Sequence, residues 1–351
     1  MSAKRGHEAH EAASETDANA AKNADVAQHA ALLALDWGTT SLRAYLLDAT
    51  GAVLATRVST AGIMNLPVPA EAGGFDAAFD EACGVWLARA PGLPVLAAGM
   101  VGSAQGWVQA PYVETPASAD ALAAGIVRVR TASGFTLSIV PGVLEPGALP
   151  NVMRGEETQV FGALCGEAGS AAQGAGSALI GLPGTHAKWV VAEGGRIVRF
   201  YTFMTGEVYA ALTAHTILGR TMKRPADPDM QAFLRGVSVA REHGCAGLLA
   251  TAFSARTLGL TGQLAADEQP DYLSGVVIGH ELAGLEAALA RRDVSLAASQ
   301  PRLIGTDALC ERYRLALEQF GCAGSRAVHD ATGRGLWYIA TRAGLIAKRR
   351  S

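Results

Sequence analysis

An aspartate just ahead of a Gly-Thr-Thr turn, in Asp36-Trp37-Gly38-Thr39-Thr40, is the first place in this 351-residue sequence where side chains could do chemistry. The string lies between two short apolar runs, 31–35 and 43–47, and a turn at 48–51 leads into a third run at 52–58. That is the pattern of a three-stranded meander. Gly38 lets the backbone approach a bound group, and the N–H and hydroxyl groups of Thr39 and Thr40 could ring a phosphate. A carboxylate at Asp36 is placed to hold hydrated Mg²⁺. The plan recurs from Ser177: an apolar strand, the bend Pro183-Gly184-Thr185-His186, a strand carrying Lys188, a Gly194-Gly195 turn and a third strand. Between the copies, Glu156 and Glu157 open a helical stretch. Such a carboxylate can orient and deprotonate a hydroxyl; a favourable helix dipole is the other reading of the pair.

Phosphoryl transfer from ATP needs a phosphate cradle, a Mg²⁺ site and a group that orients the attacking hydroxyl. No Gly-x-x-x-x-Gly-Lys-Ser/Thr loop supplies the cradle, and no Gly-x-Gly-x-x-Gly joins a strand to a helix. A P-loop enzyme and a Rossmann dehydrogenase are therefore disfavoured, and the two bends are left as the cradle. A formal net charge of −3 gives no electrostatic reason to expect nucleic-acid binding. No apolar run is expected to reach the roughly 20 residues of a membrane span. Cys83, Cys165, Cys245, Cys310 and Cys322 are scattered without zinc-ligand spacing, which fits reduced thiols in the cytoplasm. At 50% hydrophobic and 17% charged residues, the chain can bury two sizeable cores.

The elements that must position these residues follow from periodicity. Residues 1–29 contain almost no large apolar side chain and are expected to be disordered. Phe75, Phe79, Cys83, Trp86 and Leu87 predict an amphipathic helix over 75–90, and 94–99 reads as a buried strand. That strand ends in a Gly-rich loop carrying Ser103, Gln105 and Trp107, the kind of place where ligands of open α/β sheets gather. A helix near 118–125 and strands to 140 follow. A helix begins near Glu156, a Gly/Ala linker spans 167–176, and a helix capped at Thr205 runs to 218. Further helices are expected over 248–260 and 271–292, with His280 on a packed or site-edge face. A strand ending at Gly305-Thr306 then leads into a helix with Leu309, Tyr313, Ala316, Leu317 and Phe320 on its buried stripe. The glycine lets a flat ring approach the backbone. A last helix, with a basic final turn, covers 333–348.

Two phosphate-cradling hairpins in one chain resemble the actin-like ATPases and sugar kinases. The strings Asp36-Trp-Gly-Thr-Thr-Ser-Leu-Arg43, Gly99-Met-Val-Gly-Ser-x-Gln-Gly-Trp107, Pro111-Tyr112, Met153-Arg-Gly-Glu-Glu-Thr-Gln159, Leu182-Pro-Gly-Thr-His-x-Lys-Trp189, Met204-Thr-Gly-Glu207 and Tyr272-Leu-Ser-Gly275 are together similar to the 2-dehydro-3-deoxygalactonokinase family. The resemblance runs from about residue 31 to the C-terminus. It implies an α/β fold of two actin-like (ribonuclease H-like) domains, each a mixed sheet with a β-meander and flanking helices, facing a nucleotide cleft. Residues 30–153 would form the first domain and 154–351 the second, with the last helix packing back on the first. It implies a cytoplasmic, Mg²⁺-dependent kinase that moves a phosphoryl group from ATP to the terminal hydroxyl of 2-dehydro-3-deoxy-D-galactonate in galactonate catabolism, with an aldolase consuming the product.

Residue by residue, the resemblance assigns Asp36 to Mg²⁺ and Glu156 or Glu157 to the base, with Glu156 preferred. Gly38, Thr39, Thr40, Gly184, Thr185 and Lys188 would bind phosphate, Lys188 having a solvated hairpin edge as its alternative. Arg154 would receive the substrate carboxylate or form a surface salt bridge. Ser103, Gln105, Trp107 and Tyr112 would contact the sugar acid, a packed core being the competing reading of Trp107. Gly305 and Thr306 would flank the adenosine. Arg43 would touch phosphate or brace the site. Another sugar or sugar-acid kinase of the same fold and a non-catalytic ATP-binding regulator are the alternatives. A homo-oligomer is left open.

Overall fold

Two units share one plan of five strands. The structure, a computed structural model, describes residues 26–165 and 176–346. The first unit takes residues 26–165 and 330–346, the second residues 176–329. The expected tail (1–29), linker (167–176) and last turn (to 348) lie outside the described residues except at their edges. At the first edge Ala27–His29 forms a 3-10 turn, and the small Ala27 is buried in the first core.

In the first unit, β1 (Leu32–Trp37), β2 (Leu42–Leu47) and β3 (Val53–Ser59) form the antiparallel meander. Helix α1 (Gly74–Arg89) buries Phe75, Phe79, Cys83, Trp86 and Leu87, the stripe its spacing requires. Strand β4 (Val95–Ala98) pairs parallel with β1. Beyond it come β5 (Tyr112–Glu114), α2 (Ala119–Ala124), β6 (Val127–Arg130), β7 (Thr136–Ile139), β8 (Gly142–Glu145) and β9 (Asn151–Met153). The main sheet has the order β3-β2-β1-β4-β7-β6, and β5-β8-β9 form a separate small sheet. The small sheet leads into α3 (Glu156–Leu164).

The second unit repeats the plan. Strands β10 (Ser177–Leu182), β11 (Ala187–Glu193) and β12 (Arg196–Phe203) make the antiparallel meander. Helices α4 (Thr205–His215), α5 (Met230–His243), α6 (Leu248–Thr251), α7 (Ser254–Leu260) and α8 (Gln269–Ala290) precede β13 (Arg302–Leu303), which pairs parallel with β10. Helix α9 (Asp307–Gln319) and β14 (Arg326–Ala327) complete an order of β12-β11-β10-β13-β14. This matches β3-β2-β1-β4-β7 strand for strand. The observed class is the expected one, α/β with a meander-containing mixed sheet and flanking helices in each of two units.

The chain then returns to the first unit as α10 (Ala331–Arg342). Phe161 of α3 stacks on Tyr338 of α10 at 6.4 Å, and Gln159 donates to Thr332. Arg342 reaches Asp120 of α2 at 3.0 Å. Because α3 is held by these contacts, the first unit extends through α3 instead of ending at residue 153.

Other elements also differ from the sequence reading. The stretch 248–260 breaks into α6 and α7 around Ala252-Phe253. Helix α5 is an additional element, capped by Asp229, whose Oδ1 accepts from the Gln231 and Ala232 N–H groups at 2.9 Å. Helix α8 is long and apolar enough by length and composition to cross a membrane, yet polar residues interrupt it and more than half of its most apolar stretch is buried inside the second unit. His280 on α8 bonds Thr251 at 2.6 Å.

Helix α8 also carries a buried carboxylate. Glu281 accepts from Trp189 Nε1 at 2.6 Å, from Tyr313 Oη at 2.7 Å and from the Thr205 hydroxyl. The Thr205 side chain is thus spent on Glu281, and Met204 occupies the cap position of α4. Burial raises the Glu281 pKa, and the three hydrogen bonds oppose that rise. Glu281→Gln opposes an amide donor to donors that need an acceptor. It is expected to cost about 1–3 kcal/mol, read as a lowered urea midpoint with an unchanged slope.

Candidate active site

In the first unit, three backbones meet at the carboxyl ends of β1 and β4. Gly99 follows β4 at φ +99°, and a Cβ there would lie 2.7 Å from the Trp37 carbonyl oxygen. Gly155 precedes α3 at φ +107°, and its Cβ would lie 3.1 Å from the Gly99 Cα. Only residues without a Cβ let the end of β1, the end of β4 and the start of α3 approach this closely. The approach brings Glu156 near Asp36. Asp36 sits opposite Arg43 in the β1–β2 register, 3.7 Å from its guanidinium. Burial raises the Asp36 pKa most, Arg43 lowers it, and the Glu156 charge raises it.

The two glutamates of α3 are not equivalent. Glu156 is half-buried, and its Oε2 accepts from the Arg154 N–H at 3.0 Å. Glu157 is fully buried, and its Oε2 accepts from the Gly155 N–H at 2.7 Å. Both therefore fold back onto backbone N–H groups just ahead of α3. Burial first, and the Glu156 charge second, push the Glu157 carboxyl up to about 8.

Arg154, on the same turn, is buried. Its Nη2 donates to the Ala110 carbonyl at 2.9 Å, and its guanidinium lies 4.4 Å over the Tyr112 ring. Its Nε and Nη1 have no partner, and neither does the buried Ser103 hydroxyl. Nη1 lies 3.1 Å from where a Cβ on Gly102, the neighbour of Ser103, would stand. The surface salt bridge is thus replaced by a buried, half-satisfied cation. Trp107 stacks on Phe75 at 5.7 Å and meets Trp37 and Phe79 edge-on, so its ring belongs to the α1 core cluster. Gln105 is exposed on the same loop.

The bends share one construction. In the first, Ile63 N–H donates to the Gly38 carbonyl at 3.1 Å, Met64 N–H to Thr39 at 3.0 Å and Asn65 Nδ2 to Thr40 at 3.3 Å. In the second, Gly206 N–H donates to the Gly184 carbonyl at 3.3 Å and Glu207 N–H to Thr185 at 3.1 Å. A backing segment occupies the acceptors of each bend, and the exposed threonines present donors. This polarity suits an anion. Lys188 is buried instead of lying on a solvated edge, and its Nζ donates to the His186 carbonyl at 3.0 Å. Gly305 and Thr306 are exposed at the start of α9. A Cβ on Gly305 would lie 3.8 Å from the Pro183 carbonyl, so this loop adjoins the second bend. Leu303, Asp307, Cys310 and Glu311, with Arg314 and Ser325 to Ala327, line a cavity of about 330 Å³ beside α9.

Sequence reasoning assigned no role to Gly99, Gly155 and Gly206 as points of close approach, or to Glu207. The repeated Gly-Glu pair, Gly155-Glu156 and Gly206-Glu207, is the signal that marks two of these places. Among the described residues no cluster of three or more acidic, His or Cys side chains could cage a metal. One or two carboxylates plus substrate phosphates is the usual protein share of a Mg²⁺ site, and Asp36 fits that share.

A family model for 2-keto-3-deoxy-galactonokinase matches residues 36–339. The chain is 38% identical over 326 residues to a probable 2-dehydro-3-deoxygalactonokinase of Rhizobium meliloti, covering 91% of this chain and 96% of the relative. It is 33% identical over 291 residues to the 2-dehydro-3-deoxygalactonokinase of Escherichia coli, covering 83% and 90%. A crystal structure from Sinorhizobium meliloti, described as a candidate 2-dehydro-3-deoxygalactonokinase, superposes with a TM-score of 0.75 at 36% identity, covering 88% of this chain and 98% of that one.

Proposed function

The chain belongs to the 2-keto-3-deoxy-galactonokinase family, and from that premise we propose how its residues carry out the ATP-dependent phosphorylation of 2-dehydro-3-deoxy-D-galactonate at the terminal hydroxyl. Glu156 takes the hydroxyl proton as that oxygen forms its bond to the γ-phosphorus and the bond to the ADP oxygen breaks. Its partial exposure supports this role. Glu157, held near a pKa of 8, keeps its own proton at neutral pH and is a poor base. Asp36 would hold Mg²⁺ through water, where the ion would neutralise charge on the phosphates. In the first unit Thr39 and Thr40 donate to phosphate oxygens, and Gly38, whose own N–H closes the bend onto the Ser41 carbonyl at 2.9 Å, leaves room for the phosphate to approach. In the second, Gly184 and Thr185 do so with Lys188 behind them, and Gly305 and Thr306 flank the adenosine.

The observation that carries the substrate class is Arg154. A buried guanidinium with unpaired Nε and Nη1 is costly to maintain, and an anionic group such as a carboxylate is the kind of ligand that offsets that cost. Ser103 offers a further buried hydroxyl beside it, and Tyr112 keeps the guanidinium plane in place. Arg154→Ala is expected to raise KM for the keto-deoxy acid by about 30- to 1,000-fold with a smaller change in KM for ATP, from the roughly 2–4 kcal/mol of such a pair. Turnover would be measured in a coupled assay with the galactonate-derived acid, its gluconate-derived epimer and neutral hexoses. A preference for a neutral hexose would overturn the reading.

A further inference from the structure

His186 stands at the tip of the second bend, next to Thr185, and its Nε2 makes a short hydrogen bond to Glu207 Oε2. Both side chains are about half exposed, at 51% and 53%. The pair is held with unusual care for a surface contact. Glu207 bonds the bend a second time through its backbone N–H, and Lys188 fixes the His186 carbonyl. Gly206 presses the start of α4 against the bend so closely that a Cβ would lie 2.7 Å from the Gly184 carbonyl oxygen. An exposed ion pair contributes only about 0–1 kcal/mol, so stability does not account for this arrangement. With Nε2 on the carboxylate, Nδ1 is the ring nitrogen left for a ligand.

We propose that His186, oriented by Glu207, is a catalytic residue of this kinase that donates from Nδ1 to a phosphate oxygen of the nucleotide. The bend thereby gains a side-chain donor beside the N–H and hydroxyl groups of Thr185. Glu207 is the positioning residue. The inference rests on the reading of Gly184 and Thr185 as phosphate ligands.

The experiment separates the two. Full-length His186→Gln, Glu207→Gln and Gly184→Asp are compared with the parent in kcat, KM for MgATP and the keto-deoxy acid, calorimetric affinity for MgATP and adenosine, and thermal midpoint. Gly184→Asp has open space for its side chain, so it sets a negative charge in the bend without a clash. Loss of MgATP affinity by 100-fold or more in that variant upholds the phosphate reading. His186→Gln and Glu207→Gln are then expected to weaken MgATP by about 10- to 100-fold, the effect of one hydrogen bond to a charged group. Adenosine affinity, KM for the acid and the thermal midpoint stay at parent values. If Gly184→Asp loses MgATP while His186→Gln binds it normally, the His186 role fails and the bend reading survives. If Gly184→Asp also binds MgATP normally, both fail. A drop in thermal midpoint with equal losses for MgATP and adenosine overturns the inference in favour of a structural dyad. Should His186→Gln be insoluble, the same readings on Glu207→Gln decide.

Discussion

Glutamine at position 156 is expected to lower kcat by about 10²–10⁴ while changing KM for MgATP and for the keto-deoxy acid by less than about threefold. The amide has the shape of the carboxylate and keeps an oxygen that can accept from the Arg154 N–H, so the turn ahead of α3 keeps that contact. It cannot take a proton from the attacking hydroxyl. Loss of the 156 charge also removes one of the two influences that raise the Asp36 pKa. The acid limb of the pH–rate profile should therefore move to lower pH in whatever activity remains. Glu157→Gln is the contrast. The amide imitates the protonated acid that burial already enforces at neutral pH, so its turnover should stay near the parent value. Burst-free steady-state rates on both variants check the assignment. Parent-like turnover in Glu156→Gln with collapse in Glu157→Gln would exchange the two roles.

The fold was legible where the signal is local and periodic. The stripe of Phe75, Phe79, Cys83, Trp86 and Leu87 has one helical solution, and all five side chains are buried in α1. The two meanders share a run-bend-run spacing that survives as the same order over five strands in the two units. Features set by approach between distant segments were not legible. Gly99 touches Trp37 on one side and Gly155 on the other, across about 60 residues each way, and no local window reports that. Glu281 reads as one charge on a long apolar helix, yet its three donors come from β11, α4 and α9. Helix α8 is apolar nearly all round because it is packed on several sides, which blurs the stripe used to read direction. Trp107 shows the limit of motif reasoning at the site. Its place in a glycine-rich loop suggested a substrate cover, while three neighbouring aromatic rings draw it into the core. Arg154 and Ser103 were nameable as residues, but only burial reveals that their polar atoms lack partners.

Glu157 should make the stability of the enzyme fall as pH rises across the neutral range. Its carboxyl moves from an ordinary 4.5 to about 8 on folding, with burial the larger cause and the Glu156 charge the second. Below about pH 4.5 the folded and unfolded chains both hold the proton, and the group's contribution is fully present. Between 4.5 and 8 the unfolded chain has released the proton and the folded chain has not, so each unit of pH favours unfolding by roughly 1.4 kcal/mol. Above 8 the folded carboxyl ionises too and the slope vanishes. The span is about 5 kcal/mol, a large share of the margin of a typical domain. Urea midpoints of the parent and of Glu157→Gln, taken from pH 5 to pH 8.5, isolate it as a difference curve, because every other titrating group is common to both. The parent is expected to be the more strongly pH-dependent of the two, its stability relative to the variant declining steadily toward pH 8. Glu156→Gln, by removing the neighbouring charge, should shift the end of that decline to lower pH. A difference curve that is level from pH 5 to 8 would mean that position 157 ionises as freely in the folded chain as in the unfolded one. The case for Glu156 as the sole base would then lose its physical ground.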